Sequence, residues 1–394
     1  MTGRSGATGG RRTTLRAALV PAAVLALGVS LLTTGPAAAR TDDTLYLVTL
    51  RTPGTATSPG AAPRPVETLT LLREQDAVLA DLDAPTPVYR WTTAISGFAV
   101  RLDAEQAATL SSSPRVLAVE ADSVRPLAST GPLAPARAGV GDRPPTGPRR
   151  GGKGIVIGVV DTGLAPNSPV FAQRTTLAPP TGFSGGCETA GDWDASECTG
   201  KVAAARSYVE GFGVDSLRAA TIVSPRDLDG HGTRTASLAA GNAQVPVVVD
   251  GERLGRFGGQ APDAHLAVYK ACWRAPDPAD DGCSTADLVS AVDDATREGV
   301  DVLTLAVGGP GGVDTLERAL LGATEAGVVV VAASGNDGPG SPAHTSPWVT
   351  TVGGTAGDVR RGRVLLPDGR RLAGAMLSRR SVGPARVVLA AAAA

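Results

Sequence analysis

Two kinds of hydrophobic pattern divide the chain. Between residues 43 and 126, short apolar runs alternate with amphipathic ones. LYLVTL (45–50) predicts a strand and VETLTLLREQDAVLADL (66–82) a helix. PVYRWTTA (87–94) and GFAVRL (97–102) predict two strands around Ile95-Ser96-Gly97, and DAEQAATLSS (103–112) a helix with Asp103 as N-cap. RVLAVEA (115–121) closes the set as a strand. The order β-α-β-β-α-β is that of a small ferredoxin-like α+β domain. Residues 127–152, rich in Pro, Gly and Arg and without a hydrophobic period, predict an exposed linker open to processing.

From residue 153 the runs become continuous. GIVIGVV (154–160), LAVYK (266–270), VDVLTLAV (300–307) and VVVVAAS (328–334) have the form of strands buried on both faces of a parallel sheet. Between them, Ser284-Thr285-Ala286-Asp287 predicts a capping box, with Leu288, Ala291, Val292 and Ala295 as the apolar stripe and Gly299 as the stop. Asp314 with Glu317 opens another helix, which Gly327 closes. Strands alternating with helices predict a doubly wound α/β sheet whose functional crevice lies at the carboxyl ends of the strands.

Composition adds the compartment. The formal net charge of −1 over 394 residues offers no electrostatic footprint for nucleic acid. Arg4, Arg11, Arg12 and Arg16 precede an apolar stretch from Ala17 to Leu32 and the small residues Ala37-Ala38-Ala39, so residues 1–39 predict a cleaved secretory signal peptide. The alternative, a membrane anchor, needs roughly 20 apolar residues, more than this stretch supplies. Cys187 and Cys198, and Cys272 and Cys283, lack the close C-x(2–4)-C spacing of a zinc site; two local disulfides are the favoured alternative.

Three polar residues stand at strand ends. Asp161 follows GIVIGVV in the turn Asp161-Thr162-Gly163, where a carboxylate is either a turn residue or part of a site. His231, in DLDGHGTRTASLAAG (227–241), is flanked by glycines and opens a small-residue helix; histidine is the natural general base near neutral pH. Asn336 follows VVVVAAS and is either a turn asparagine or an amide donor to an oxyanion.

GIVIGVVDTG, DGHGTRTASLAAG and VVAASGNDGPG resemble the three blocks of the subtilisin-like serine proteases. FGGQAPDAHLAVYKACW (257–273) and GCSTADLVSAVDDATREGVDVLTLAVGG (282–309) resemble the plant-type, cucumisin-like branch, which also occurs in bacteria. Residues 43–126, AISGFAVRL above all, resemble that family's inhibitory propeptide. The resemblance implies that Asp161 orients His231 as base and Asn336 stabilises the oxyanion, in a secreted endopeptidase acting on polypeptides and held by its own propeptide. It implies Ala306-Val307-Gly308 and Ala333-Ser334-Gly335 as edges that pair with an extended substrate. Arg234 stands where the family usually has a second His, and Ala306 where it usually has Ser. No cofactor, metal, nucleic acid or membrane partner is implied.

The family's nucleophile lies in a G-T-S-x-A-x-P block, which these residues do not contain. Ser341, Ser346, Ser378 and Ser381 lack its context, and Gly354-Thr355-Ala356 has Ala at the decisive position. GRVLLPDGRRLAGAMLS (362–378) resembles the lead into the protease-associated insert of the plant-type branch. The expectation is therefore an incomplete peptidase domain over 153–394, cut short and inactive by itself. In subtilisin itself, losing the nucleophile costs about 2 × 10⁶ in kcat, far more than the 10²–10³ of one oxyanion donor. A non-catalytic, protease-binding module is the alternative. His265 and His344 are expected to be structural, neither having a carboxylate or a paired His at ligand spacing, and no D-x-D-x-D-G calcium loop occurs.

Overall fold

A computed structural model describes residues 43–56, 65–82, 86–128, 151–174, 177, 180–249, 251–338, 340–354, 361–375 and 383–384. The predicted signal segment and most of the predicted linker, 129–150, lie outside the described residues.

The N-terminal part follows the expected order: β1 (Thr44–Leu50), α1 (Pro65–Ala80), β2 (Tyr89–Trp91), β3 (Gly97–Leu102), α2 (Ala104–Ser111) and β4 (Val116–Ala121). Its antiparallel sheet has the order β2-β3-β1-β4. Asp103 caps α2 in a reciprocal box, accepting from Gln106 N–H while the Gln106 side chain accepts from Asp103 N–H. The apolar run of β1 is continuous because both faces are covered. Val48 and Leu50 face the domain's own helices, whereas Leu45 and Leu47 join the core of the second domain.

A short strand β5 (Val124–Arg125) leads out, and the second domain begins with β6 (Val156–Asp161). There follow β7 (Val202–Ser207), α3 (His231–Ala240), the hairpin β8 (Val245–Val249) and β9 (Glu252–Phe257), β10 (His265–Lys270), β11 (Cys272–Trp273) and β12 (Gly282–Ser284). Then come α4 (Thr285–Glu298), β13 (Val302–Leu305), α5 (Thr315–Glu325), β14 (Val329–Ala333), β15 (Thr350–Val352) and the hairpin β16 (Arg361–Leu365) and β17 (Arg371–Ala375). Six strands form one parallel sheet in the order β15-β14-β13-β6-β10-β7. Successive residues alternate faces: Val156 and Val160 join the α4/α5 core, Ile157 and Val159 the α3 core. Because β6 lies between β10 and β13, the winding reverses there, and Asp161 stands at the carboxyl end of that central strand.

The N-terminal sheet sits on α4 and α5 through specific polar contacts. Tyr89 donates its hydroxyl to Asp287 (2.8 Å), and the Trp91 indole donates to Ser290 Oγ (2.9 Å). Asp293 Oδ1 accepts from the amides of Thr93 (2.9 Å) and Ala94 (2.7 Å). At the helix N-termini, Asp122 accepts from Ala286 N–H (2.9 Å) and Glu120 from Thr315 N–H (2.8 Å), carboxylates placed where orphan donors and the helix dipole favour them. Gly322 of α5 is needed for this approach: a Cβ there would lie 1.7 Å from the carbonyl oxygen of Ala94.

Some expectations change. Both disulfides form, and Cys272–Cys283 joins residues that face each other across β11 and β12. The capping box at 284–287 is only half made. Ser284 accepts from Asp287 N–H, but the Asp287 carboxylate turns to Gly211 N–H, Phe212 N–H and Tyr89. His344 does have a carboxylate partner, Glu317, at 2.5 Å, brought from α5 by folding. His265 is buried with Nδ1 2.5 Å from the Gly200 carbonyl. Strand β7 has no counterpart among the predicted strands, since its VAAARS is dominated by small residues.

Candidate active site

Two backbone features press His231 against Asp161. Gly230, in the left-handed region at φ 97°, turns the chain into α3, whose first residue is His231. Gly232 then lies so close to the Asp161-Thr162-Gly163 turn that a Cβ would come within 2.4 Å of the Gly163 carbonyl oxygen. The result is a 2.7 Å contact between His231 Nδ1 and Asp161 Oδ1, which also accepts from Thr162 N–H at 2.7 Å. Asp161 is 1% exposed and His231 5%. With Asp161 as acceptor the proton resides on Nδ1, leaving Nε2 free to take one from a reacting group.

Asp227 holds this arrangement and was not singled out in the sequence. It accepts from the amides of Asp229 (2.9 Å), Gly230 (2.8 Å) and Thr233 (2.9 Å) and from the hydroxyl of Thr162 (3.0 Å). The Thr162 oxygen in turn accepts from Gly232 N–H at 2.8 Å. The D-x-D-G spacing around it was a visible signal, but for a turn rather than a scaffold.

The histidine's electrostatics balance opposing influences. Burial works to lower its pKa, but the hydrogen bond and charge of Asp161, with the carbonyl of Ala128, outweigh it and hold the imidazole above its usual value. Lys270 pairs in register with Asp161, and burial pushes its amine down to about 8; it donates to the Arg226 carbonyl and lies over the Trp273 ring.

The groove beside His231 holds a polypeptide, the tail of the N-terminal domain. Ala128 N–H donates to the Ala306 carbonyl (2.8 Å), and Gly308 N–H to the Pro126 carbonyl (2.7 Å), with Leu127 opposite Val307 in an antiparallel bridge. On its other side the tail pairs with Gly282–Ser284, Cys283 opposite Arg125 and Ser284 opposite Val124. The tail thus lies between 306–308 and 282–284, and the second of these edges was not foreseen. Its signal was weak: a three-residue strand containing Gly and Ser. Ala333-Ser334-Gly335 leads to the exposed Asn336 in the loop after β14; Ser334 itself donates to the Val352 carbonyl and accepts from Ala343 N–H. Beyond the tail's last contact, the Ala128 carbonyl oxygen is 3.3 Å from His231 Nε2.

Among the described residues no cluster of His, Cys, Asp or Glu could hold a metal, and no helix is long and apolar enough to cross a membrane.

Comparison with known proteins gives the wider frame. The chain is 36% identical to Subtilisin-like protease SBT3.6 of Arabidopsis thaliana over 288 residues, covering 69% of this chain and 37% of that protein. It is 35% identical to Subtilisin-like protease SBT1.5 of the same plant over 304 residues, covering 74% of this chain and 38% of that one. It therefore spans somewhat over a third of the length of these relatives. Among solved structures, fervidolysin from Fervidobacterium pennivorans, a keratinolytic enzyme related to subtilisin, aligns with a TM-score of 0.46 at 16% identity over 76% of this chain and 41% of that one. Residues 46–128 match the peptidase inhibitor I9 family. With residues 152–383 matching the Subtilase family, this chain belongs to the subtilases and carries an inhibitor-type propeptide before its peptidase domain.

Proposed function

We propose that the chain belongs to a secreted serine endopeptidase in precursor form, with residues 1–39 as signal peptide, 43–126 as intramolecular inhibitor, 127–152 as processed linker and 153–394 as peptidase. Asp161 orients the imidazole, His231 takes the proton of the attacking hydroxyl and returns it to the leaving amine, and Asn336 donates to the oxyanion. Substrate polypeptides add an extended strand along Ala306–Gly308, with Ala333–Gly335 flanking the reacting carbonyl. The observation that carries this reading is the Ala128 carbonyl, 3.3 Å from His231 Nε2 at the end of a strand paired with Ala306–Gly308. A peptide bond to be cut would present its carbonyl there, so Ala128–Ser129 is the proposed processing bond.

The attacking hydroxyl is not among these residues, since no G-T-S-x-A-x-P block is present. A polypeptide of these 394 residues alone is therefore proposed not to hydrolyse peptide bonds. The test has two arms. In cells expressing the complete gene, the secreted protein should begin at Ser129, and His231→Ala should abolish that N-terminus; an unchanged N-terminus refutes the reading. The purified 394-residue chain should not react with an active-site fluorophosphonate, and labelling that depends on His231 would overturn its predicted inactivity.

A further inference from the structure

Five residues of the tail lie along the groove, and only one of their side chains is buried. Val124 and Pro126 are exposed and Leu127 and Ala128 half-buried, whereas Arg125 is 3% exposed. An arginine withdrawn from water is costly unless it is paired and hydrogen-bonded. Here both conditions are met. Its Nη2 donates to the Asp314 carboxylate, and its Nε donates to Thr285 Oγ1 at 3.1 Å. Gly309 provides the space: a Cβ there would fall 2.5 Å from Arg125 Nη1 and 3.3 Å from Cζ.

All three partners belong to the peptidase domain. Thr285 begins α4, Gly309 follows β13, and Asp314 is the N-cap of α5. Asp314 divides its oxygens, Oδ1 accepting from Glu317 N–H at 3.0 Å and Oδ2 from Arg125. The helix that Asp314 caps fixes that carboxylate in place, while the Thr285 hydroxyl also donates to the Ser123 carbonyl of the propeptide at 2.9 Å.

We infer that Asp314, Thr285 and Gly309 form a specificity subsite for a basic side chain. It reads the residue three positions before the one whose carbonyl faces His231, on any extended polypeptide lying in the groove. The inference rests on the peptidase reading above and adds the substrate class. Arginine is preferred to lysine because its planar fork reaches two separate acceptors while lying over a glycine; a single ammonium does not span both. An apolar residue there leaves Asp314 without its cation, and an acidic one faces a like charge.

The experiment uses the full 394-residue chain with Arg, Lys, Met or Glu at position 125, alone and combined with Asp314→Asn. Asparagine keeps the side-chain oxygen that caps α5 and removes only the charge. The readout is hydrogen exchange at the Gly308 amide, which is held by the tail's Pro126 carbonyl. Exchange should accelerate in the order Arg, Lys, Met, Glu, with Met at least about tenfold faster than Arg. In the Asp314→Asn background the spread should collapse to within about threefold, while the Glu317 amide stays protected as a check on folding. Equal protection of Gly308 for Arg, Met and Glu overturns the subsite and leaves the groove reading standing. A Gly308 amide unprotected even with Arg125 and Asp314 intact refutes the groove reading and the subsite together. An Arg preference that persists in Asp314→Asn overturns the role given to Asp314.

Discussion

Replacing Asp293 by alanine tests how the propeptide is held. Asp293 belongs to α4 and is 5% exposed, yet its carboxylate serves the other domain: Oδ1 accepts from Thr93 N–H at 2.9 Å and Ala94 N–H at 2.7 Å, and Oδ2 from Thr92 N–H at 3.3 Å. Thr93 and Ala94 are themselves buried, so alanine leaves two amides without acceptor or water. At about 1–3 kcal/mol for each buried donor left unpaired, docking should weaken by about 2–6 kcal/mol. A central value near 4 kcal/mol is about a thousandfold in the docking equilibrium. Two remote amides report it. Ala286 N–H and Thr315 N–H belong to the peptidase domain but are held by Asp122 and Glu120 of the propeptide, so they exchange when it lifts off. Asp293→Ala should accelerate both by about a thousandfold, and Asp293→Asn, which keeps an acceptor oxygen, by less than about tenfold. Exchange within threefold of wild type for Asp293→Ala, or equal losses in the two variants, would refute the reasoning.

The same reporters give a pH dependence. Burial pushes Asp293 up to about 6, so its contribution to docking is greatest below the ordinary carboxylate pKa and is lost as pH rises through about 6; Asp293→Asn should flatten that slope. His231 acts with the same sign. Its raised pKa reflects in part the Ala128 carbonyl, which only a protonated Nε2 can hydrogen-bond, so the tail should loosen as pH rises through the histidine's elevated pKa. Protection of Gly308 followed against pH, with and without His231→Gln, measures it; an identical profile in both refutes it. Gly322→Ala should push back the loop carrying Ala94, because the clash is with backbone that has no rotamer to change, and lost protection at Ala286 would report it. Asp227→Ala should cost about 1–3 kcal/mol, because the buried Thr162 hydroxyl loses its acceptor while the Asp229 and Gly230 amides lie at exposed positions that water can reach. It should also broaden or remove the low-field proton resonance of the Asp161–His231 contact, and an unchanged resonance would exclude a positioning role for Asp227.

Much of the site was readable because its parts obey local rules. Asp161 ends a run apolar enough to mark a strand buried on both faces, and His231 needs glycines on either side for a close approach that folding then makes. The Asp103 cap and the apolar stripe of α4 were legible for the same reason, each being set by neighbours within one turn. The Glu317 partner of His344 was not foreseen, because it is distant in sequence and no periodicity announces a pair closed by a loop returning to a helix. Asp287 shows the limit of a motif. Its place after Ser284 suggested a helix cap, but donors from Gly211, Phe212 and Tyr89 converge on it from elsewhere and win.

By itself, then, the sequence determined the two domains' element order, the family and the Asp–His pair, since strand burial, caps and glycine turns are encoded over a few residues. Tertiary structure alone decided what the groove holds. Arg125, just before Pro126 at the end of the N-terminal domain, reads as an ordinary exposed arginine until β5 lies on β12 and α5 brings Asp314 beneath it. Pairing a charge with its counter-charge across most of two hundred residues depends on topology, and no local pattern along the chain records it.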